Sequence, residues 1–299
     1  MYELPIRLVA LVRKNNKDAE LAQLQQVVDK LNLEEYLNTQ SLNQVLIQCN
    51  IERDKNNNIP LHPLVLNTET WQKAGYYDPI KGILKNKTDE EMYYDRVLEL
   101  YKHVYEKNKP FKGIVVCITT LKSDDEEGGE SKTVPLDSRL AIILGSNIEA
   151  PDSYAHEIGH LLGLEHIYRS KEDLEDLQEK RQKIIELNNK IGINKERQKK
   201  YIDDCDKYKA KNGYDCPERK EVVKKFDNEI DNQKIESKLC LNVIQVYKEN
   251  KYCFGKESTI NFMDYTKDHT NRHLFCKWQW ELMQRDIVKY YGKVQKVEI

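Results

Sequence analysis

The segment Ala155–His166, which reads AHEIGHLLGLEH, restricts the fold more than any other part of the chain. It contains three of the seven histidines in the sequence. His156 and His160 are four residues apart, so a helix would place both imidazoles on one face, close enough to bind one metal ion. Glu157 follows His156 directly, and its carboxylate can hold a water molecule without binding the metal. The first half of the segment therefore predicts a helix that carries two metal ligands.

Gly163 and His166 explain the second half of the segment. A straight helix would carry His166 away from the ion, and glycine most readily takes the left-handed conformation that ends a helix. The turn would bring His166 back as the third ligand. A zinc ion with three protein nitrogens keeps a fourth position for water, whose proton Glu157 could take and pass to a leaving amine. The spacing HExxHxxGxxH therefore predicts a catalytic zinc site, although incidental histidines on a helix and a metal site without catalysis are the alternatives.

A second motif lies downstream, in the segment Ser258–Thr270, where Met263 stands within the letters NFMDY. Together with HExxHxxGxxH, this segment resembles the metzincin clan of zinc metallopeptidases, in which a tight turn places a methionine beneath the metal. The pappalysin family has a similar N-x-M-D-Y turn followed by a helix with Gln and Met, and Gln279 and Met283 have the matching spacing. The resemblance implies that Met263 is the methionine of this Met-turn.

The resemblance covers roughly residues 140–167 and 258–285, and it implies a zinc endopeptidase that acts on a protein or peptide substrate. Tyr265 would donate a hydrogen bond to the oxyanion of the tetrahedral intermediate, with a core tyrosine as the alternative. An extended substrate would pair with an edge strand of the sheet. Leu140–Gly145 is one candidate for this edge, although it could be a central strand instead.

Three further site expectations follow from the resemblance. The wall of the pocket for the residue after the scissile bond would come from Thr266–Leu274, where His269 and His273 could contact the substrate but are interpreted as surface histidines. Calcium is common in similar enzymes, and Asp264 and Asp268 are candidate oxygen ligands, although no loop has a diagnostic calcium-binding spacing.

The apolar pattern predicts an α+β fold. Strands are expected at residues 6–12, 45–51, 113–121 and 140–144, and helices at 18–33, 89–106 and from about 151. Residues 54–88 are expected to form a long loop region, and the acidic segment 122–132 a solvated loop. The first helix turn near residue 151 would be capped by Asp152 or Ser153.

The expected architecture is a metzincin-like catalytic domain. Residues 1–166 would form an N-terminal subdomain with a twisted mixed sheet below the zinc-binding helix. Residues 167–299 would form a mostly helical C-terminal subdomain with the Met-turn. A Lys-, Glu- and Asn-rich insertion at about 170–250 has a loose three-four apolar spacing, which predicts a helical hairpin or a three-helix insertion. An inhibitor or a delivery partner could contact this insertion.

Composition excludes several classes of function. The formal charge is -2, which gives no electrostatic argument for nucleic acid binding. No apolar run is long enough to insert into a membrane. No signal peptide or inhibitory pro-segment is recognisable, so export or delivery by a signal-independent route is favoured over the cytoplasm, and the compartment is left open.

The sequence leaves open both the activity of the chain and the state of four cysteines. The chain could be a catalytically silent metzincin-like scaffold whose insertion binds a protein partner. Four of its seven cysteines, which could form two disulfides or remain thiols, follow His166 within or close to the insertion: Cys205, Cys216, Cys240 and Cys253.

Overall fold

The computed structural model describes the chain except for residues 89, 90, 108, 126, 266–271, 292 and 295–299. The chain forms two compact units. The first comprises Met1–Tyr168 and Asn250–Ile299, and the second comprises Arg169–Glu249. The second unit coincides with the predicted insertion, whereas the division into subdomains at residue 166 falls inside the first unit and stays a prediction.

The first unit is built on a mixed sheet, and the α+β class is therefore correct. Its strands, together with those of a small second sheet, are β1 (Tyr2–Arg13), β2 (Ile47–Ile51), β3 (His62–Leu66), β4 (Tyr77–Asp78), β5 (Ile83–Leu84), β6 (Ile114–Ile118), β7 (Lys122–Ser123), β8 (Gly129–Ser131), β9 (Leu140–Ile143) and β10 (Lys293–Val294). The large sheet has the order β10-β1-β6-β9-β8, and β2 and β3 also pair with β1. Strands β4, β5 and β7 form the small sheet.

The strand order β10-β1-β6-β9-β8 begins and ends with an antiparallel strand. Strands β2, β3 and β6 run parallel to β1, and β9 runs parallel to β6. Strand β8 is antiparallel to β9, with Glu130 opposite Ile142, and β10 is antiparallel to β1. Leu140–Ile143 is therefore a central strand, and within the described residues β8 is the last strand at that end. Of the two alternatives for Leu140–Gly145, the central strand is confirmed and the edge is not, because the three-residue strand β8 follows β9 in the sheet order.

Both faces of the large sheet are buried, which explains the continuous apolar run of β1. Ile6 and Leu8 pack on one face, whereas Val9 and Leu11 pack on the other. Parallel strands buried on both faces lack polar alternation. The helices of the first unit are α1 (Lys17–Leu31), α2 (Leu33–Tyr36), α3 (Thr68–Ala74), α4 (Tyr93–Tyr105), α5 (Pro151–Leu161) and, after the second unit, α8 (Lys277–Asp286). Helix α5 packs on the first face and α4 on the second.

Two segments that the sequence analysis assigned to loops contain regular structure. Residues 54–88 hold β3, α3, β4 and β5, so the prediction of a long loop was wrong. These elements are between two and seven residues long, too short for a periodic signal. Residues 122–132 hold β7 and β8, and Glu130 in β8 is buried. Acidic composition alone therefore gave the wrong prediction for this segment.

The second unit is a hairpin of two helices, α6 (Lys171–Asn212) and α7 (Arg219–Glu249). The hairpin form of the prediction is confirmed, and the three-helix form is wrong. Helix α6 begins with a capping box of Ser170 and Asp173 and ends at Gly213, which is left-handed with φ of 77°. No helix among the described residues has both the length and the apolarity to cross a membrane.

Candidate metal centre

Helix α5 is enclosed along almost its whole length. Every residue from Asp152 to Leu161 is buried. Proline at residue 151 opens the helix, where its missing N–H costs nothing. The N-cap residue is Ala150, and it makes no side-chain cap, so the prediction that Asp152 or Ser153 caps the helix was wrong. Both side chains instead point to an arginine described below.

Gly163 ends this helix in the way that the spacing predicts. Its φ is 84°, in the left-handed region. The Gly163 N–H donates to His160 O at 3.0 Å, and the Leu164 N–H donates to Gly159 O at 3.1 Å. A Cβ at Gly163 would lie 2.5 Å from Oδ2 of Asp286. Glycine is therefore required here both by the backbone conformation and by a close neighbour.

The turn brings the three histidines together. One nitrogen from each of His156, His160 and His166 lies within 4.8 Å of the other two. The ring centroids of His156 and His166 are 5.3 Å apart, and that of His160 is 4.8 Å from each. This group of three histidines could hold a metal ion.

Backbone carbonyls fix the orientation of two of the rings. His156 Nδ1 donates to Phe262 O at 2.5 Å, and His160 Nδ1 donates to Leu164 O at 2.7 Å. The proton on Nδ1 leaves Nε2 of each neutral ring with a lone pair. These two Nε2 atoms face each other at 3.2 Å. Two lone pairs at this distance repel each other, and a shared cation removes the repulsion.

The third ring supplies the same kind of evidence. Nε2 of His166 is buried and has no hydrogen-bond partner. A buried polar atom without a partner is costly unless it binds a ligand such as a metal ion. Burial also lowers the pKa of all three histidines, that of His160 to about 4, so the rings are neutral and can act as ligands. The residues therefore fit a metal ion with nitrogen ligands.

Glu157 lies beside the histidines and is held by the edge strand. Ser131 Oγ in β8 donates to Glu157 Oε2 at 2.6 Å. Burial raises the pKa of Glu157 to about 8, and the Ser131 hydrogen bond opposes that increase. A Cβ at Gly129 would lie 2.7 Å from Glu157 Oε1, so the backbone of β8 packs directly on this carboxylate.

Met263 packs against α5. It is fully buried, and its Sδ is 2.5 Å from the position of a Cβ on Gly159, between the two helical histidines. Met263 O accepts from the Ile167 N–H at 3.2 Å, next to His166. The methionine segment therefore supports the histidine group both through packing and through a backbone hydrogen bond.

A polar network outside the metal site holds the Met263 turn in place. Asn261 Oδ1 accepts from the Met263 N–H at 2.9 Å, and Asn261 Nδ2 donates to Gln279 Oε1 at 2.8 Å. Gln279 is fully buried at the start of α8, and Met283 is fully buried in the same helix. The spacing match at these two positions thus corresponds to a structural contact for Gln279 and a core position for Met283.

Asp264 stabilises the turn that precedes the Met263 segment. Its carboxylate accepts from the backbone N–H groups of Glu257, Ser258 and Thr259 and from Thr259 Oγ1, at 2.9 to 3.1 Å. Both oxygens therefore accept hydrogen bonds from the preceding turn, and calcium binding by Asp264 stays a prediction. Asp268, the other candidate, lies outside the described residues, as does His269.

Arg272 lies within the pocket wall predicted at 266–274 and lines the cleft described below, but the sequence analysis assigned it no role of its own. It is buried, and its Nε donates to Asp152 Oδ2 at 2.7 Å. Its other nitrogens reach Ser153 Oγ and Asp264 O, each at 3.3 Å, and one lies 3.3 Å from Nδ1 of His156. Arg272 therefore joins the first turn of α5 to the turn after Met263. No local pattern links residues that are 120 positions apart.

Asn250 is a residue that the sequence analysis missed. Its Oδ1 accepts from the Glu165 N–H and its Nδ2 donates to Gly163 O, both at 3.0 Å. Asn250 therefore holds the chain between the helix exit and His166. A polar side chain after a long helix carries no sequence signal for this role.

Two tyrosines cover His166. The Tyr168 ring stacks on it with centroids 5.2 Å apart and planes 8° apart, and the Tyr265 ring is 4.6 Å away. Lys256 Nζ lies 5.1 Å from the centre of the Tyr265 ring. Burial raises the pKa of the Tyr265 phenol, so it is a protonated hydrogen-bond donor at neutral pH.

A cleft of about 360 Å³ opens beside His156, Glu157 and Tyr265. Its walls include the β8 segment, the first half of α5 and the Met263 turn, through residues that include Gly129, Glu157, Tyr265 and Arg272. The predicted pocket wall at Thr266–Leu274 lies mostly outside the described residues. His273 is exposed, in agreement with its interpretation as a surface histidine.

Comparison with known proteins does not assign the chain to a family. No protein-family model and no curated protein matches the chain. The functional argument therefore depends on the geometry of the site.

Proposed function

We propose that the chain is a zinc-dependent endopeptidase of the metzincin type, similar to the pappalysin family. One observation carries the proposal: two buried histidines and the half-buried His166 bring one nitrogen each within 4.8 Å of the others, and a buried carboxylate, Glu157, lies beside them next to a cleft. A structural zinc site is closed by four protein ligands, whereas a catalytic site keeps a position open. Within the described residues, the ligand group contains histidines alone.

The choice of zinc follows from the ligands. Three neutral imidazoles with no carboxylate among them suit zinc better than calcium or magnesium, which prefer oxygen. When bound, zinc would supply Lewis acidity to a water molecule and to the scissile carbonyl group. The backbone carbonyls of Phe262 and Leu164 would hold two of the ligand rings in the required orientation.

Glu157 would move the proton in this reaction. Its Oε2 accepts from Ser131, which leaves Oε1 to accept a proton from the attacking water and to deliver it to the leaving amine. A nearby cation lowers the pKa of a buried carboxyl group, so metal binding would favour the ionised base. The Tyr265 hydroxyl would donate a hydrogen bond to the oxyanion that forms on the former carbonyl oxygen.

The substrate would bind along β8. Gly128 O accepts from the Leu144 N–H, so the alternation of an antiparallel pair directs the backbone groups of Gly129 and Ser131 away from β9. An extended peptide could pair with these groups as an added strand. Ser131 would then contact the substrate through its backbone and Glu157 through its side chain.

Glu157→Gln tests this proposal most simply, because it keeps the shape of the side chain and removes the base. We expect the wild-type chain to bind one zinc ion and to cleave members of an unbiased peptide library. The variant should keep zinc and lose about 100- to 10,000-fold in the rate of cleavage. Zinc binding by both chains without cleavage by either would favour a catalytically silent scaffold whose second unit binds a protein partner.

A further inference from the structure

The three histidines of the metal centre are held by different contacts. Nδ1 of His156 and Nδ1 of His160 donate to the backbone carbonyls of Phe262 and Leu164, at 2.5 and 2.7 Å. No hydrogen bond of this kind reaches the ring of His166 within the part of the chain that the structure describes. A histidine that binds a metal almost always has a second contact that fixes its ring. The third ring therefore needs another means of support.

Aromatic rings pack against His166 in place of such a hydrogen bond. The Tyr168 ring is nearly parallel to the imidazole, with planes 8° apart and centroids 5.2 Å apart. The Tyr265 ring is closer, at 4.6 Å, but its plane is tilted by 47°. A parallel neighbour restricts the rotation of the imidazole plane, whereas a tilted neighbour contacts the imidazole without matching its plane. Of these two tyrosines, Tyr168 is therefore the one that defines the plane of His166.

The backbone between His166 and Tyr168 is held on both sides. Ile167 is fully buried, and its N–H donates to Met263 O at 3.2 Å. The carbonyl oxygen of Ile167 accepts from the Phe254 N–H at 3.4 Å. Because both side chains start from this fixed backbone, few of their rotamers keep the two rings parallel and in contact. A change of the Tyr168 side chain should therefore act directly on the orientation of His166.

We propose that Tyr168 is a positioning residue for the third metal ligand. Its ring would hold His166 in the orientation in which one nitrogen from each of the three histidines lies within 4.8 Å of the other two. Tyr168 would act through His166 and would not bind the metal itself. An aromatic ring is sufficient for this role, so the phenol hydroxyl group is not required. The inference rests on the metal site of the proposed function, but it does not depend on peptide cleavage.

The zinc affinity of the full chain, measured by competition with a coloured chelator, tests the proposal. Tyr168→Leu removes the parallel ring and should weaken zinc binding about 10- to 100-fold. Tyr168→Phe keeps the ring and should stay within about 3-fold of the wild type. A loss in Tyr168→Phe as large as the loss in Tyr168→Leu would overturn the role given to the ring.

Tyr105→Leu is the matched control. Tyr105 is half-buried in the first unit, and its ring lies 5.8 Å from that of His62, a histidine outside the metal group. This substitution also removes a contact between a tyrosine and a histidine, and it should leave the zinc affinity unchanged. Urea denaturation of the zinc-free chains shows how far each leucine variant destabilises the fold. A loss of zinc affinity caused by unfolding is thereby distinguished from a loss of ligand orientation.

Cobalt spectra of the same four chains report the ligand geometry itself. Cobalt(II) in place of zinc has visible absorption bands that depend on the arrangement of its ligands. We expect these bands to shift in Tyr168→Leu and to stay in place in Tyr168→Phe and Tyr105→Leu. Equal zinc affinities and identical cobalt spectra in the wild type and Tyr168→Leu would overturn the inference and leave the proposed peptidase intact.

The wild-type chain separates this inference from the proposed function. A wild-type chain that binds no zinc would overturn both. A wild-type chain that binds zinc without cleaving peptides would contradict the proposed activity alone, because the affinities and spectra of the Tyr168 variants still decide the role of the ring.

Discussion

Helices α5 and α6 are stabilised by opposite means. Helix α5 has 11 residues, and all but the first are buried. Its side chains have specific partners in the sheet, in the Met263 turn and at Arg272. Helix α6 has 42 residues, is mostly exposed and depends on a capping box and surface ion pairs such as Lys180–Asp176. A short helix needs tertiary contacts to form, whereas a long one gains from every added turn.

This difference separates a helix whose side chains have fixed neighbours from a helix whose side chains mostly face solvent. In α5, a change of one side chain disturbs a defined neighbour and through it the histidines. In α6, most substitutions affect side chains that face solvent and therefore disturb no neighbour. The same kind of substitution should therefore have different effects in the two helices, and often in opposite directions.

The largest effect should come from the buried ion pair at the start of α5. Arg272→Met leaves Asp152 as a buried carboxylate without its main partner, which should lower the free energy of unfolding by about 3–5 kcal/mol. Glu149→Gln, which removes a pair exposed on both sides, should change it by less than about 0.5 kcal/mol. Urea denaturation measures both. A loss below about 1 kcal/mol in Arg272→Met would contradict the role given to Arg272.

Glu130 should make stability depend on pH. Burial raises its pKa from 4.5 to about 7, so the folded chain holds a proton that the unfolded chain releases. Stability contributed by this group is present at low pH and is lost as pH rises between about 4.5 and 7, by up to ~1.4 kcal/mol per pH unit. Glu130→Gln should flatten this part of the profile in denaturation experiments. An unchanged slope would exclude Glu130 as its source.

Ser131 should affect cleavage more than folding. Ser131→Ala removes the hydrogen bond that orients Glu157 and should reduce kcat about 10- to 100-fold with little change in KM or in zinc content. Ser131→Thr keeps the hydroxyl group and should restore most of the rate. Equal losses in both variants would show that the hydroxyl group does not position the base.

Substitution of two glycines should give the smallest changes in stability, and these changes should have opposite signs. Gly163→Ala should destabilise the chain by about 1–2 kcal/mol or more, because φ of 84° disfavours a side chain and Asp286 occupies the space. Gly192→Ala in α6 has nothing within 4 Å of its Cβ and should stabilise the helix by about 0.5–1 kcal/mol. Thermal unfolding measures both changes, and the same sign in both would refute the comparison.

Local patterns in the sequence predicted the parts of the molecule that depend on local rules. Helix α5, the left-handed exit at Gly163, the strands β1, β2, β6 and β9 and the hairpin all have periodic or turn signals. The edge strand β8 has three residues in an acidic segment, so it has no period to detect.

The site residues to which the sequence analysis assigned no role share a physical cause. Arg272 and Asn250 act on residues about 120 and 87 positions away, respectively, so only the folded chain shows their partners. The histidines were predictable because their ligand geometry is encoded within one helix and one turn. The hydrogen bonds that hold the surrounding backbone in place join residues that are far apart in the sequence.

The central claim is that three histidines form an open zinc site beside Glu157. Crystals of the zinc-loaded chain, measured with X-rays on both sides of the zinc absorption edge, test it most directly. The account predicts one anomalous peak bound by His156, His160 and His166 through Nε2, with Glu157 hydrogen-bonded to a water molecule rather than to the metal. A peak elsewhere, or Glu157 as a fourth protein ligand, would contradict it.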